Sequence, residues 1–254
     1  MMVTTKQGAT PQTKANEEEH MERVNRIKFL DGTKLKIIAM VSMVFDHVGD
    51  MFFPDLLWPR MIGRLAMPIF AFCIAEGYAY TRNKNRYLLR MGIFALVSEI
   101  PFDLAFEGTV SLTHQNIMLS FFLAIIALKL FEVIRGEKKE DTGKYGVGKT
   151  ILGTLSVIAI AVVALLVKAD YTIFAVISVF LFYVLKDARQ FVRMSVGVAF
   201  LAITRTIGYY CTTGFSIIPL LLYNGKRGKG LKWLFYAFYP GHLLLLYLLK
   251  LALI

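Results

Sequence analysis

The sequence predicts an all-α polytopic membrane protein, a bundle of about nine transmembrane helices with its N terminus in the cytoplasm. Three observations carry that expectation. The 254-residue chain is 56% apolar, has a mean hydropathy of +0.56 and holds only 19% charged residues, against about 25% in soluble domains. Its apolar residues fall into runs near 34–53, 61–80, 90–106, 116–134, 150–167, 171–185, 191–209, 211–223 and 232–252, most of them close to the ~20 residues that a spanning helix needs. Its net charge of +11 is concentrated in a few connections between those runs.

Residues 1–30 are polar, from Thr4-Thr5-Lys6-Gln7-Gly8 to Glu17-Glu18-Glu19. A basic start followed by an apolar core and a small-residue cleavage site is missing, so the segment reads as a cytoplasmic tail and not as a signal peptide. Within it Met21, Val24 and Ile27 recur at helical spacing, which predicts a short surface helix over Glu17–Phe29. Residues 31–254 read as one transmembrane domain, with a polar first bundle over 31–134, a cytoplasmic loop over 135–149 and a greasier second bundle over 150–254. The runs at 171–185 and 211–223 are short for a span, and Gly214 and Pro219 weaken the latter further.

Charge fixes the expected orientation. Basic residues cluster at Arg82, Lys84, Arg86 and Arg90, at Lys138, Lys139, Lys144 and Lys149, at Lys186, Arg189 and Arg193, and at Lys226, Arg227, Lys229 and Lys232. With nine spans and a cytoplasmic N terminus all of these connections lie inside, and the short connections at 54–60, 107–115, 168–170 and near 210 lie outside, as the positive-inside rule requires. The same distribution argues for anionic lipid headgroups as partners and against nucleic acid. Gly146-Val147-Gly148-Lys149-Thr150 has the ending of a phosphate loop without its upstream glycine spacing. Cys73 and Cys211 lie in apolar stretches and read as packed hydrophobes.

Charged groups nevertheless recur inside the first apolar runs: Asp46, His47 and Asp50, then Arg60, Arg64 and Glu76, then Glu99 and Asp103. Each costs at least about 2.5 kcal/mol at the centre of a bilayer, so such groups face a protein interior or an aqueous cavity. Side chains three or four apart share a helix face, which makes Arg60 and Arg64 a cationic stripe and Glu99 and Asp103 a carboxylate stripe interrupted by Pro101. Asp46 is poorly placed to orient its neighbour His47; Asp50, three residues on, or a carboxylate from another helix fits better. The expected topology puts His47, Arg60, Arg64, Asp103, His114 and Asn116 toward the outer half, Glu99 near the middle and Glu76 toward the cytoplasmic end. A histidine among carboxylates suits general base work, and arginines beside it suit an anionic intermediate. The bland alternative is a set of ion pairs that lock the bundle. His47, Asp50, Asp103 and His114 have no tight ligand motif, so no metal is expected. His242, after Pro240-Gly241, reads as core packing or a helix-break contact, and Arg205 with Tyr209-Tyr210 is a further candidate for the outer site.

Leu35-Lys36-Ile37-Ile38-Ala39-Met40 with Phe45-Asp46-His47-Val48-Gly49 resembles the opening signature of the TraX family of conjugation-associated membrane proteins. Arg60-Met61-Ile62-Gly63-Arg64-Leu65-Ala66-Met67-Pro68-Ile69-Phe70, Glu76-Gly77, Tyr87-Leu88-Leu89-Arg90 and Ser98-Glu99-Ile100-Pro101-Phe102-Asp103 continue it, with Asn116-Ile117 ahead of the fourth run. The dense motifs cover roughly residues 33–120. The resemblance implies an integral acetyltransferase of the bacterial inner membrane that uses acetyl-CoA, acting on a pilin N terminus or, as in membrane acyltransferases of sugars, on a glycan. It also implies His47 as the catalytic residue, with Asp46, Arg64, Glu99 and Asp103 shaping the site and Arg60, Glu76, His114, Asn116 and Asp50 around it. The anionic donor head is then expected at Arg82, Lys84, Arg86 and Arg90. The alternative reading is a small-molecule or proton-coupled transporter, since buried ionisable groups and interrupted helices serve that role equally well.

Overall fold

The computed structural model describes residues 27–138, 143–203 and 208–253. Most of the expected tail helix at 17–29, and Arg205, lie outside them. The described chain is all-α: α1 (Gly32–Phe52), α2 (Leu57–Gly63), α3 (Ala66–Tyr80), α4 (Lys84–Phe106), α5 (Ile117–Arg135), α6 (Val147–Leu166), α7 (Thr172–Val184), α8 (Gln190–Ile203), α9 (Ile217–Leu221) and α10 (Lys232–Leu253), with 3-10 segments at Leu185–Asp187 and Gly208–Ser216.

Among the described residues every apolar run falls largely in helix, but the expected number of spans does not follow. Four helical stretches among the described residues are long and apolar enough to cross a bilayer: Leu57–Tyr80, Ile117–Arg135, Val147–Leu166 and Lys232–Leu253. The others fall short for two physical reasons. The first is charge: α1 carries Lys34, Lys36, Asp46 and Asp50, and α4 carries Lys84, Arg86, Arg90, Glu99 and Asp103. The second is length, since α7 has 13 residues and α8 has 14, or about 20 Å of helix against a hydrocarbon core of ~30 Å.

Three helix starts, those of α1, α4 and α5, are set by side-chain caps. Asp31 Oδ1 accepts from Thr33 N and Lys34 N, both at 2.9 Å, and Asn83 Oδ1 accepts from Arg86 N at 2.8 Å. Asn116 does the same for α5, its Oδ1 accepting from Met118 N at 2.9 Å and Leu119 N at 3.3 Å. Such caps matter more where water cannot satisfy the first amides of a helix.

The short α7 is the hub of the bundle, packed against α3, α5, α6 and α8, with Ala175, Val176, Val179 and Phe182 fully buried. The outward faces are apolar too. Leu89, Ile93, Leu96 and Ile100 on α4, Leu152, Leu155 and Ile158 on α6, and Leu245 and Leu248 on α10 are all exposed. Exposed apolar faces of this kind are an aggregation liability in water and the expected faces toward lipid.

Backbone ties hold the two ends of the bundle together. At one end Leu30 N donates to Leu222 O at 3.1 Å and Gly32 N to Lys226 O at 2.8 Å. At the other, Gln115 N donates to Lys168 O at 3.1 Å and Asp170 N to Gln115 O at 2.9 Å. Connections that the charge pattern assigns to one side therefore meet at one end.

Candidate functional site

The first polar cluster forms where α2 crosses the C-terminal part of α1. Gly63 permits that crossing, because a Cβ there would overlap the Asp46 side chain. Asp46 Oδ1 accepts from Arg64 Nη2 at 2.7 Å and lies 3.3 Å from Arg60 Nε. Arg64 is only 4% exposed; its Nη1 reaches the Tyr171 hydroxyl at 3.2 Å and its Nε the Arg60 carbonyl at 3.3 Å. Arg60 also pairs with Asp50. An alanine at Gly63 is expected to push Asp46 off both guanidiniums and to lower both thermal stability and activity. A G63A protein with wild-type melting and turnover would contradict the close crossing.

His47 points away from these carboxylates. Its Nδ1 lies 2.9 Å from Nε2 of His242 on α10, with the two rings nearly parallel at 5.1 Å between centroids. Asp46 does not orient it, as the α1 spacing predicts; nor does Asp50, which corrects the expectation from that spacing, because Asp46 is held by Arg60 and Arg64 and Asp50 by Arg60. His242 Nδ1 in turn lies 2.8 Å from the Phe238 carbonyl. Phe238 stacks on His242 at 4.7 Å, and Phe106 of α4 presents its edge to His47 at 5.2 Å. An apolar groove of about 290 Å³ runs beside the pair, lined by Val41, Val44, Phe45 and Val48 of α1 and by Phe238.

The carboxylates of α4 line the junction with α5. Glu99 Oε2 accepts from the Asn116 amide side chain and, at 3.4 Å, from its backbone N–H; Asn116 Nδ2 also donates to Ala95 O at 2.8 Å. Asp103 is fully buried and accepts from Ser111 N at 3.0 Å. Glu99 Oε1 and Asp103 Oδ1 are buried without a hydrogen-bond partner among the described residues. His114 is exposed on the connecting loop, its ring 5.6 Å from Phe102. On the same loop the hydroxyls of Ser111 and Thr113 hold Glu107 below the usual carboxylate range. Since Asn116 is both cap and tie, N116A is expected to cost about 1–2 kcal/mol of stability, read as a lower melting temperature in detergent. An unchanged melting temperature would refute that dual role.

The loop from 168 to 172 closes the cluster, a role that no spacing or motif announces. The buried Tyr239 lies within range of the Asp170 and Glu99 charges, and the Tyr171 hydroxyl of this loop bonds Arg64. The loop backbone is strained: Lys168, Tyr171 and Thr172 have φ of 52°, 57° and 44°, a region that a β-branched residue rarely adopts. Strain of this kind persists only where the surroundings enforce it, and it clusters at functional sites. Ser120 Oγ donates to the Asp170 carbonyl and helps to hold the loop.

Other predicted residues lie elsewhere. Glu76 pairs with Arg193 Nη1 at 2.6 Å and accepts from Tyr223 Oη at 3.3 Å, at the end of the bundle that holds Leu30. Of the four cations expected to hold the donor head, Lys84 is tied to Glu132, which also accepts from Tyr78 at 2.7 Å. Arg82 and Arg86 are exposed. Arg90 turns inward toward Tyr87 and Tyr236, and Lys36 of α1, which the sequence did not single out, lies 4.9 Å from the Phe235 ring on the same side of α10. No group of three His, Cys, Asp or Glu side chains suited to a metal gathers among the described residues.

Residues 31–250 match the family described as TraX protein. The chain is 28% identical over 243 residues to the "Probable fimbrial assembly protein FimC, serogroup H1" of Dichelobacter nodosus, covering 84% of this chain and 93% of that one. It is 33% identical over 90 residues to the "Uncharacterized protein RP591" of Rickettsia prowazekii (strain Madrid E), covering 35% of this chain and 33% of that one. No solved structure matches.

Proposed function

The chain belongs to the TraX family, and from that membership we propose that it is a multi-pass acetyltransferase of the bacterial inner membrane, moving acetyl from acetyl-CoA to an envelope-associated acceptor. The observation that carries this reading is the His47 imidazole. It is half-buried, bonded through one nitrogen only among the described residues, and adjacent to a cluster holding two arginines. As the acceptor nitrogen or oxygen attacks the thioester carbonyl, His47 takes its proton. The carbon–sulfur bond breaks as the new bond forms, and the proton passes from the imidazolium to the departing thiolate, releasing CoA. Arg60 and Arg64 keep their charge and are the groups to stabilise the oxyanion.

Lys36 and Arg90 suit the anionic end of the donor better than the exposed Arg82 and Arg86 or the committed Lys84. Lys36 precedes His47 on α1 by about 16 Å of helix rise, a reach of the order of an extended pantetheine arm. The name of the Dichelobacter relative, together with a likeness over nearly its whole length, supports a pilin-type N-terminal amine as acceptor ahead of a glycan.

Protein reconstituted in lipid nanodiscs with radiolabelled acetyl-CoA tests the reading. A peptide with a free N-terminal amine is expected to be acetylated and the same peptide with a blocked terminus is not. Labelling of neither peptide nor glycan would remove the proposal. Glu99 Oε1 and Asp103 Oδ1, buried without a partner among the described residues, favour a second reading, proton-coupled transport, because ionisable groups inside a membrane mark proton and ion pathways in such proteins. Solute uptake driven by a pH gradient into proteoliposomes, without acetyl transfer, would select it.

A further inference from the structure

The hydrogen bonds around His242 have a direction. The Phe238 carbonyl, 2.8 Å from His242 Nδ1, has no hydrogen to give, so Nδ1 carries the proton. In a neutral imidazole the other nitrogen, Nε2, then holds a lone pair. That nitrogen lies 2.9 Å from His47 Nδ1 and accepts a hydrogen bond from it. His47 is left with its proton on Nδ1 and its lone pair on Nε2. Phe238 and Phe106 cover the pair, and the nearest carboxylate on α1, Asp46, is already engaged by both arginines.

We propose that His242 is the positioning residue of the site, holding His47 from across the bundle in the one tautomer and ring orientation that present Nε2 to the acceptor. The proposal deepens, and rests on, the reading of His47 as the base. His242 touches neither donor nor acceptor. It does for His47 what a carboxylate does in other histidine-based sites, with a backbone carbonyl as the outermost acceptor. A neutral orienting partner avoids burying a further anion beside the Asp46 cluster. When His47 takes the acceptor proton, His242 Nε2 keeps accepting from Nδ1, and that bond strengthens as the ring becomes charged. The carbonyl belongs to the turn of α10 directly before His242, so the chain His47, His242, Phe238 is built on rigid helices and not on a loop.

Solid-state NMR of protein with 15N-labelled histidine in lipid bilayers reads the tautomer directly, with the His47 signals assigned by their loss in His47→Gln. The expected spectrum has a protonated Nδ1 and a bare Nε2 on His47. In His242→Phe, which keeps an aromatic ring but no acceptor, that tautomer is expected to give way to the Nε2–H form or a mixture, whereas His242→Gln, whose carboxamide oxygen can accept, is expected to retain it. A bare Nδ1 on His47 in the wild type, or an unchanged tautomer in His242→Phe, would overturn the proposal. Should His242→Phe not fold, the wild-type spectrum decides alone. In the acetyl-transfer assay kcat is expected to fall by about 10²- to 10⁴-fold in His242→Phe, with little change in KM for acetyl-CoA and substantial recovery in His242→Gln. Wild-type kcat in His242→Phe would refute the positioning role. The predicted tautomer in a protein that transfers no acetyl group would sustain the His47–His242 geometry and reject the acetyltransferase reading.

Discussion

Alanine at position 47 is expected to reduce acetyl transfer by at least about 10²-fold and up to about 10⁴-fold, the range that a positioned general base contributes. The physical basis is that His47 supplies the bare nitrogen, and the arginines, which hold their protons at any working pH, cannot replace it. Stability should change far less than activity. Removing the imidazole leaves His242 Nε2 unpaired, a cost of about 1–3 kcal/mol for a buried acceptor, and it leaves the Asp46–Arg64 pair at 2.7 Å intact. Initial rates of labelled acetyl-CoA consumption, set beside melting in the same detergent, separate the two effects. A His47→Ala protein that melts like its parent and turns over at the parent's rate would remove His47 from the chemistry.

The largest loss of stability is expected at Arg64. This guanidinium is 4% exposed and links α1, α2 and the loop before α7 through Asp46 Oδ1 at 2.7 Å and the Tyr171 hydroxyl at 3.2 Å. Truncating one member of a buried pair strands the other, and such changes cost about 3–5 kcal/mol. Arg64→Ala should therefore melt well below wild type and accumulate poorly. Arg64→Lys should rescue only part of the loss, since an ammonium cannot reproduce a fork that reaches a carboxylate and a phenol at once. If Arg64→Asn and Asp46→Asn, singly and together, destabilise additively, the two side chains are not coupled and the pair does not tie α1 to the segment after α2.

The membrane character, the helical segments and the gathering of connections at the two ends of the bundle were legible because they depend on composition and period. A run of apolar residues forms helix wherever it lies in a membrane, and lysine and arginine between runs report the sides. The count of spans was less legible, because charge inside α1 and α4 and the brevity of α7 separate being helical from being able to cross alone. Spacing put Arg60 and Arg64 on one stripe, and both reach Asp46. It failed for His47, whose partner lies 195 positions away, because a helix face says which neighbours on that helix are close and nothing of what packs against them. The role of Lys84 was obscured for the same reason: its tie to Glu132 of α5 exists only in the folded bundle.

By itself, then, the sequence determined an all-α membrane protein of the TraX family with Asp46, His47, Arg60, Arg64, Glu99 and Asp103 as groups too costly to bury without a purpose. The tertiary structure decided their partners: α2 folding over α1 gave Asp46 to the arginines, α10 gave His242 to His47, and the strained loop before α7 brought Tyr171 to Arg64. The physical reason is that burying a polar group has a cost set locally by its own chemistry, whereas the hydrogen bond that offsets it comes from whichever helix packing brings within about 3 Å.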